Sequence, residues 1–424
     1  MSERATREEN VDVVWSGDWV AERLGVALEG DGDLRELLGL ALRRNPKRAH
    51  LLVSNVLGKH VPQRPSVVYG AGYGLGERVR ALLGEEEARR AVVLGYAETA
   101  TGLGHAVADG LRDAPYLHST RRPVAGVAQA GGFEEAHSHA TSHLLLPEDP
   151  ELLAGGAEAS TLVLVDDEFS TGNTVLNTIR ALHEPHPRDR YVIVALVDMR
   201  SPADRDRLTA FAAEIGARVD LVTRSTGTVT LPDGVLERGQ ALVAAQEAEQ
   251  AREAGEAGEA GEAGEASASA PPSVPAPGPV TRVDLDWPAG VPDGGRHGFT
   301  PAHRVALEAA LPGMAERIAG ALGGGARQGR VLVLGFEELM YAPLRLGTAL
   351  EQMLGADAEV RYSTTTRSPV LAVDDPGYAI RTRLVFPAHD TPADGPGDRY
   401  AYNVAGAGFD AVVAVVDSTA DTSE

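Results

Sequence analysis

The densest chemistry in the chain lies in Asp166-Asp167-Glu168-Phe169-Ser170-Thr171-Gly172-Asn173-Thr174, where adjacent carboxylates are followed by hydroxyls and a glycine. Neighbouring carboxylates suit a vicinal diol, because each can accept a hydroxyl proton in a hydrogen bond. The run Ser170, Thr171, Gly172, Asn173 and Thr174 can wrap a phosphomonoester with backbone N–H groups and side-chain hydroxyls. The next residues, 175–183, read as a helix whose N-terminus points at that anion. Ahead of the acids stand Leu162-Val163-Leu164-Val165, uniformly apolar, as expected of a strand buried on both faces of a parallel sheet. Open α/β sheets hold their ligands at the carboxyl ends of such strands. These residues together describe a cradle for a sugar phosphate.

A second set of residues belongs to the same sheet edge. Tyr96-Ala97-Glu98-Thr99-Ala100-Thr101 lies between a strand ending at Gly95 and a helix opening near Gly102, so its amides and hydroxyls face the cradle. Arg121 and Arg122 end the following strand, where guanidinium groups can chelate phosphate oxygens in pairs. His137, His139 and His143 fall in a long segment before the cradle strand. From 124 to 160 that segment contains no Lys or Arg, so its histidines are the only side chains there that could become cationic. His-x-His spacing also suits a metal ion, and plain loop polarity is a third reading. Arg43, Arg44, Lys47, Arg48, Lys59 and Arg64 form an island from 43 to 64 without Asp or Glu, unusual in a chain of net charge −22. It suits phosphate, a helix end or an acidic partner.

The elements that must position these residues alternate. Strand-like runs at 66–69, 91–94, 116–118, 161–165 and 191–197 are separated by helical stretches at 76–83, 102–111, 173–183 and 203–215, which predicts a doubly wound parallel α/β sheet. Residues 1–65 form a hood segment over its carboxyl edge, and 66–246 the sheet domain. Gly70, Gly72, Gly74 and Gly76 miss the dinucleotide-binding register in every frame and are read as a tight loop before a helix. From 247 to 279 a repeated Glu-Ala-Gly run gives way to Pro-rich sequence, and we expect a linker that is disordered or a frayed helix followed by extended chain.

Residues 280–424 read as a smaller α/β domain that is a degenerate copy of the first. Val331-Leu-Val-Leu-Gly335-Phe336-Glu337-Glu338 echoes Ala91-Val-Val-Leu-Gly95-Tyr96-Ala97-Glu98, and Tyr362 to Val370 echoes Tyr116 to Val124 in the same order. This copy ends at Val415-Val416-Asp417 with neither a second acid nor a phosphate loop.

Composition narrows the partners. The 424 residues contain no cysteine, which excludes disulfides, thiolate zinc sites and cysteine nucleophiles. The acidic balance argues against nucleic acid, since phosphate neutralisation needs surplus Lys and Arg. With no apolar stretch long enough to span a bilayer and a charged N-terminus, we expect a soluble cytoplasmic protein without a membrane partner.

The cradle resembles the signature of type I phosphoribosyltransferases. The order of segments, with Thr366-Arg367-Ser368-Pro369 near the end, is similar to a phosphoribosyltransferase-like group that carries a C-terminal TRSP domain and is associated with tellurium-resistance and stress gene clusters. The resemblance implies a transferase that uses Mg and 5-phosphoribosyl 1-pyrophosphate (PRPP), passing the phosphoribosyl group to a base-like small molecule with release of pyrophosphate. Asp166 and Asp167 would act at the ribose, residues 170–174 at the 5-phosphate, and 96–101 with Arg121 and Arg122 at the pyrophosphate. His137, His139, His143, Lys47, Arg48 and Lys59 would be loop or hood contacts. Mg would arrive with PRPP, without a dedicated protein site. The alternatives are a PRPP- or nucleotide-binding regulator without catalysis, a protein like ribose-phosphate pyrophosphokinase, and a hydrolase using metal at the histidine loop. The C-terminal domain could bind a ligand, shape the acceptor site or make a homodimer.

Overall fold

The computed structural model describes residues 14–44, 48–124, 129, 131–134, 142–154, 161–262, 279–388 and 397–417. Lys47, His137 and His139, and the connecting residues 263–278, lie outside them. The central sheet has six strands in the order Ala27–Gly30, Arg218–Thr230, Arg190–Asp198, Leu162–Phe169, Val92–Gly95, Tyr116–His118. Five run parallel, and the short Ala27–Gly30 closes one edge antiparallel. Leu162, Val163, Leu164 and Val165 are fully buried at the middle of this sheet, which is why that segment carries no polar side chain. The chain moves from Val92–Gly95 outward to Tyr116–His118 and returns to Leu162–Phe169 on the other side. The carboxyl ends of Val92–Gly95 and Leu162–Phe169 therefore flank a topological switch point, where such sheets bind ligands.

One expected strand is a helix. Residues 66–69 lie in the first turns of Pro65–Leu83. Pro65 at the first helical position is preorganised to start a helix, and this outweighs the β preference of Val67, Val68 and Tyr69. The glycines read as a loop are inside the same helix. A β-carbon at Gly72 would stand 2.7 Å from that of Ala106, and one at Gly76 would stand 2.1 Å from the carbonyl oxygen of Val107. These bare positions, one turn apart, let Pro65–Leu83 lie directly on Thr101–Leu111. The helix Val235–Glu262 continues past residue 247 through most of the Glu-Ala-Gly run. Glu247 holds Arg44 at 2.6 Å, and Gln250 donates to the carbonyl of Ala372 at 2.8 Å.

The C-terminal lobe repeats the first lobe in reduced form. Its parallel strands run Glu359–Thr364, Arg330–Gly335, Ala411–Ala414, which is the order of Tyr116–His118, Val92–Gly95, Leu162–Phe169. The repeat extends to single bonds. Ser119 N–H donates to the Gly95 carbonyl as Thr365 N–H does to Gly335. Ala97 N–H donates to the Ser119 hydroxyl at 3.0 Å, and Glu337 N–H to the Thr365 hydroxyl at 3.2 Å. Thr120 exchanges backbone bonds with Leu144 of one hairpin, and Thr366 does the same with Tyr400 of another. Residues of both lobes share one apolar core. The hood hairpin, Leu38–Leu42 with His50–Ser54, is bonded to the second lobe: Leu371 N–H and Ala379 N–H donate to the carbonyls of Leu42 and Leu40, and the Tyr378 hydroxyl accepts from Leu42 N–H at 2.7 Å.

Candidate functional site

Asp166 and Asp167 stand where the central strand leaves the buried part of the sheet, and both are half-buried. Asp167 N–H donates to Asp166 Oδ1 at 2.9 Å, which fixes one carboxylate over the backbone of the other. Burial raises the proton affinity of Asp167 and neighbouring Glu168 adds to the effect, while Lys59 opposes it. After Phe169 the chain turns at Gly172, whose φ of 73° is a left-handed conformation that favours glycine. A β-carbon there would also meet the Phe169 ring at 2.9 Å. Phe169 is thus the floor of the loop: it is buried, and the Arg200 guanidinium stacks on it at 5.0 Å. The helix Asn173–His183 begins directly after Gly172, which offers no side-chain cap, so its first N–H groups are available to an anion, and Ser170, Thr171 and Asn173 at this end are half-buried.

The loop 96–101 lies across the switch point. Tyr96, Ala97, Glu98, Ala100 and Thr101 are buried, and Thr99 alone of the loop is half-buried. Its Ala97–Glu98 peptide is cis. Ser119, at the end of the next strand, joins this loop to His143: its hydroxyl takes the Ala97 N–H and lies 2.9 Å from His143 Nδ1. The His143 ring meets Tyr96 edge to face at 6.4 Å, so His143 reaches the 96–101 loop.

Two cations of the basic island also arrive. Lys59 is 5% exposed; its Nζ donates to the Thr99 hydroxyl at 2.8 Å and stands 3.9 Å from Glu98. Its positive charge also opposes the rise in the proton affinity of Asp167. Arg48 pairs with Glu168 at 3.1 Å. Arg44 and Arg64 are drawn elsewhere, to Glu247 and Glu351.

Arg121 and Arg122 meet the second lobe. Glu338 accepts from the Thr120 hydroxyl at 2.8 Å, from Arg121 N–H at 3.1 Å and from Arg296 at 3.1 Å. Glu337 accepts from Arg122 at 2.8 Å and from Arg399, with Arg367 at 3.8 Å. Although burial alone would raise it, Arg296, His118 and the bonds from Arg121 and Thr120 hold the Glu338 carboxyl below the usual range. Glu98 is pushed the other way, first by burial and then by Glu337 and Glu338, against Lys59 and Arg121. Glu337, Glu338 and Arg296 did not emerge as site residues from sequence reasoning. The only signal for the two acids was that Glu338 occupies the place of Glu98 in the echoed segment.

Among the described residues no cluster of three or more His, Asp or Glu is arranged to hold a metal ion, and no helix is long and apolar enough to cross a membrane. Residues 37–228 match a family model described as phosphoribosyl transferase, and 293–424 match one described as a TRSP domain C-terminal to it. No curated protein matches the chain. Similar solved structures include adenine phosphoribosyl transferase from Trypanosoma brucei, at 14% identity over 44% of this chain and 76% of that one, with a TM-score of 0.32. The Giardia lamblia enzyme has 18% identity over 45% and 95%, with a TM-score of 0.31. That from Leishmania donovani has 18% identity over 45% and 77%, with a TM-score of 0.30.

Proposed function

The chain belongs to the phosphoribosyl transferase family that carries a C-terminal TRSP domain, and from that premise we propose that it transfers the 5-phosphoribosyl group of PRPP to a base-like small molecule, releasing pyrophosphate. The observation that carries this reading is the meeting of two loops at the switch point: Asp166, Asp167 and the 170–174 run lead into the N-terminus of Asn173–His183, and at the end of the adjacent strand the 96–101 loop takes the Lys59 ammonium on Thr99.

In this reading the 170–174 amides and hydroxyls anchor the 5-phosphate. Asp166 and Asp167 accept the ribose hydroxyls. As the C1–oxygen bond to pyrophosphate breaks, positive charge builds on the ribose ring, a transition state of the kind met in glycoside cleavage, and the two carboxylates would stabilise it. Lys59 and Thr99 would steady the leaving pyrophosphate, so the hood supplies the cation that 124–160 lacks. Mg suits this site as an ion carried by PRPP, bound through one or two carboxylates and the substrate's own oxygens, with Asp166 and Asp167 as the residues that would hold it and charge neutralisation as its chemistry. No side chain need act as a nucleophile. A cytoplasmic role in a tellurium-resistance or stress-linked pathway rests on the family resemblance.

One observation favours a second reading, a PRPP-binding regulator without turnover: Thr120, Arg121 and Arg122 already bond to Glu338 and Glu337. Calorimetric titration of Mg-PRPP into the protein and into Asp166→Asn/Asp167→Asn tests the cradle. Binding to the wild type, weakened by ~100-fold or more in the variant, is expected, since the variant loses two charged acceptors. Equal binding by both would overturn the assignment. Pyrophosphate release with a panel of nucleobases then separates enzyme from regulator.

A further inference from the structure

Glu338 sits in an anion seat. A threonine hydroxyl, a backbone N–H and a guanidinium converge on its carboxylate, a donor set that would hold a phosphate oxygen equally well. Two of those donors, Thr120 and Arg121, belong to the first lobe, at the strand end that faces the 96–101 loop, and the neighbouring Glu337 takes Arg122 from the same strand end. Both acids are buried, and they come from the second lobe's copy of that loop, 336–341, which lies against the first: a β-carbon at Gly102 would meet that of Met340 at 2.9 Å. The side chain that fills the seat is the counterpart of Glu98.

We propose that Glu338, with Glu337, is a built-in stand-in for pyrophosphate: the second lobe's loop occupies the leaving-group half of the site through its carboxylates, and a diphosphate must displace them to bind. This rests on the phosphoribosyl-transfer reading and gives the C-terminal lobe a role in it, that of a gate opened by the diphosphate end of the substrate. Electrostatics support the direction of the effect. Glu98 already lies in the field of Glu337 and Glu338, so a diphosphate entering beside all three meets like charge, whereas withdrawal of Glu338 removes repulsion and releases Arg121 N–H, Thr120 and Arg296 to the newcomer. Arg399 and Arg367 would keep Glu337 on the second lobe when the loop retracts, so the gate has a resting place on either side.

The test uses the full chain and two probes, pyrophosphate and ribose 5-phosphate. Glu338→Gln keeps the shape of the side chain and removes its charge. We expect it to bind pyrophosphate at least tenfold more tightly than the wild type, with ribose 5-phosphate affinity unchanged. Equal or weaker pyrophosphate binding would sink the gate. Should the variant fold poorly, hydrogen exchange on the wild type answers the same question: pyrophosphate should speed exchange of the 336–341 amides while ribose 5-phosphate leaves them alone, and slower exchange with pyrophosphate would mean a bracket in place of a gate. Failure of ribose 5-phosphate to bind the wild type would count against the cradle itself, a result separable from either outcome with pyrophosphate.

Discussion

Lys59 joins the hood to the 96–101 loop. Its ammonium is buried, bonded to the Thr99 hydroxyl and near Glu98, and its charge opposes the raised proton affinity of Asp167. Buried charge survives only when paired, so this lysine also lets two acids with raised proton affinity remain at the sheet edge. Lys59→Met keeps the length of the side chain and removes its charge. It should weaken PRPP binding by about 10- to 100-fold, the worth of one charge-assisted hydrogen bond. Calorimetry measures this directly, and an unchanged affinity would place Lys59 among the structural ion pairs. The role proposed for Asp166 and Asp167 could be argued from their spacing to the 170–174 run, because all of those residues lie in one stretch of chain and would serve one ligand together. The seat of Glu338 was not readable, because its donors lie at Thr120, Arg121 and Arg296, and only the fold joins them.

At the level of elements, the strand Tyr116–His118 and the helix Asn173–His183 fall on the residues where the apolar pattern puts them. Both are short and sharply bounded, the second by Gly172. The misread segment at 66–69 shows the limit of local pattern: Ser-Val-Val-Tyr has strand composition, but a proline at the head of a helix and glycines that must face another helix decide the outcome. Those glycines give a paired prediction. Gly76→Ala drives a methyl into the Val107 carbonyl and should cost about 1–3 kcal/mol through overpacking. Gly74→Ala, on an open face of the same helix, should gain about 0.5–1 kcal/mol from helix propensity. Denaturant midpoints of the two variants should therefore move in opposite directions. Movement the same way would mean that Pro65–Leu83 does not lie on Thr101–Leu111 as described. The long strand Arg218–Thr230 went unread because polar and apolar residues along it are only partly buried, leaving no clean periodicity.

The two lobes are versions of one plan sharing a core, the first carrying Asp166, Asp167 and the 170–174 run and the second contributing cover. Because apolar residues of both lobes belong to a single core and the hood is bonded to 371–379, the first lobe is not a free-standing unit. A chain ending at residue 262 would leave Leu40 and Leu42 without their partners Leu371, Tyr378 and Ala379. It should bind an apolar dye, elute as aggregates and fail to bind PRPP; a monodisperse fragment that binds PRPP would refute this. The contact between Leu42 and Tyr378 spans 336 positions of sequence and has a consequence in time. A ribosome that has made the cradle and every strand of the large sheet has not yet made the residues that clamp the hood. Contacts of such separation are slow to form, and synthesis delays these further. The nascent protein therefore carries an unclamped hood until residues 371–379 emerge, so translation interrupted before then yields chains in which the hairpin beside the candidate site has no partner.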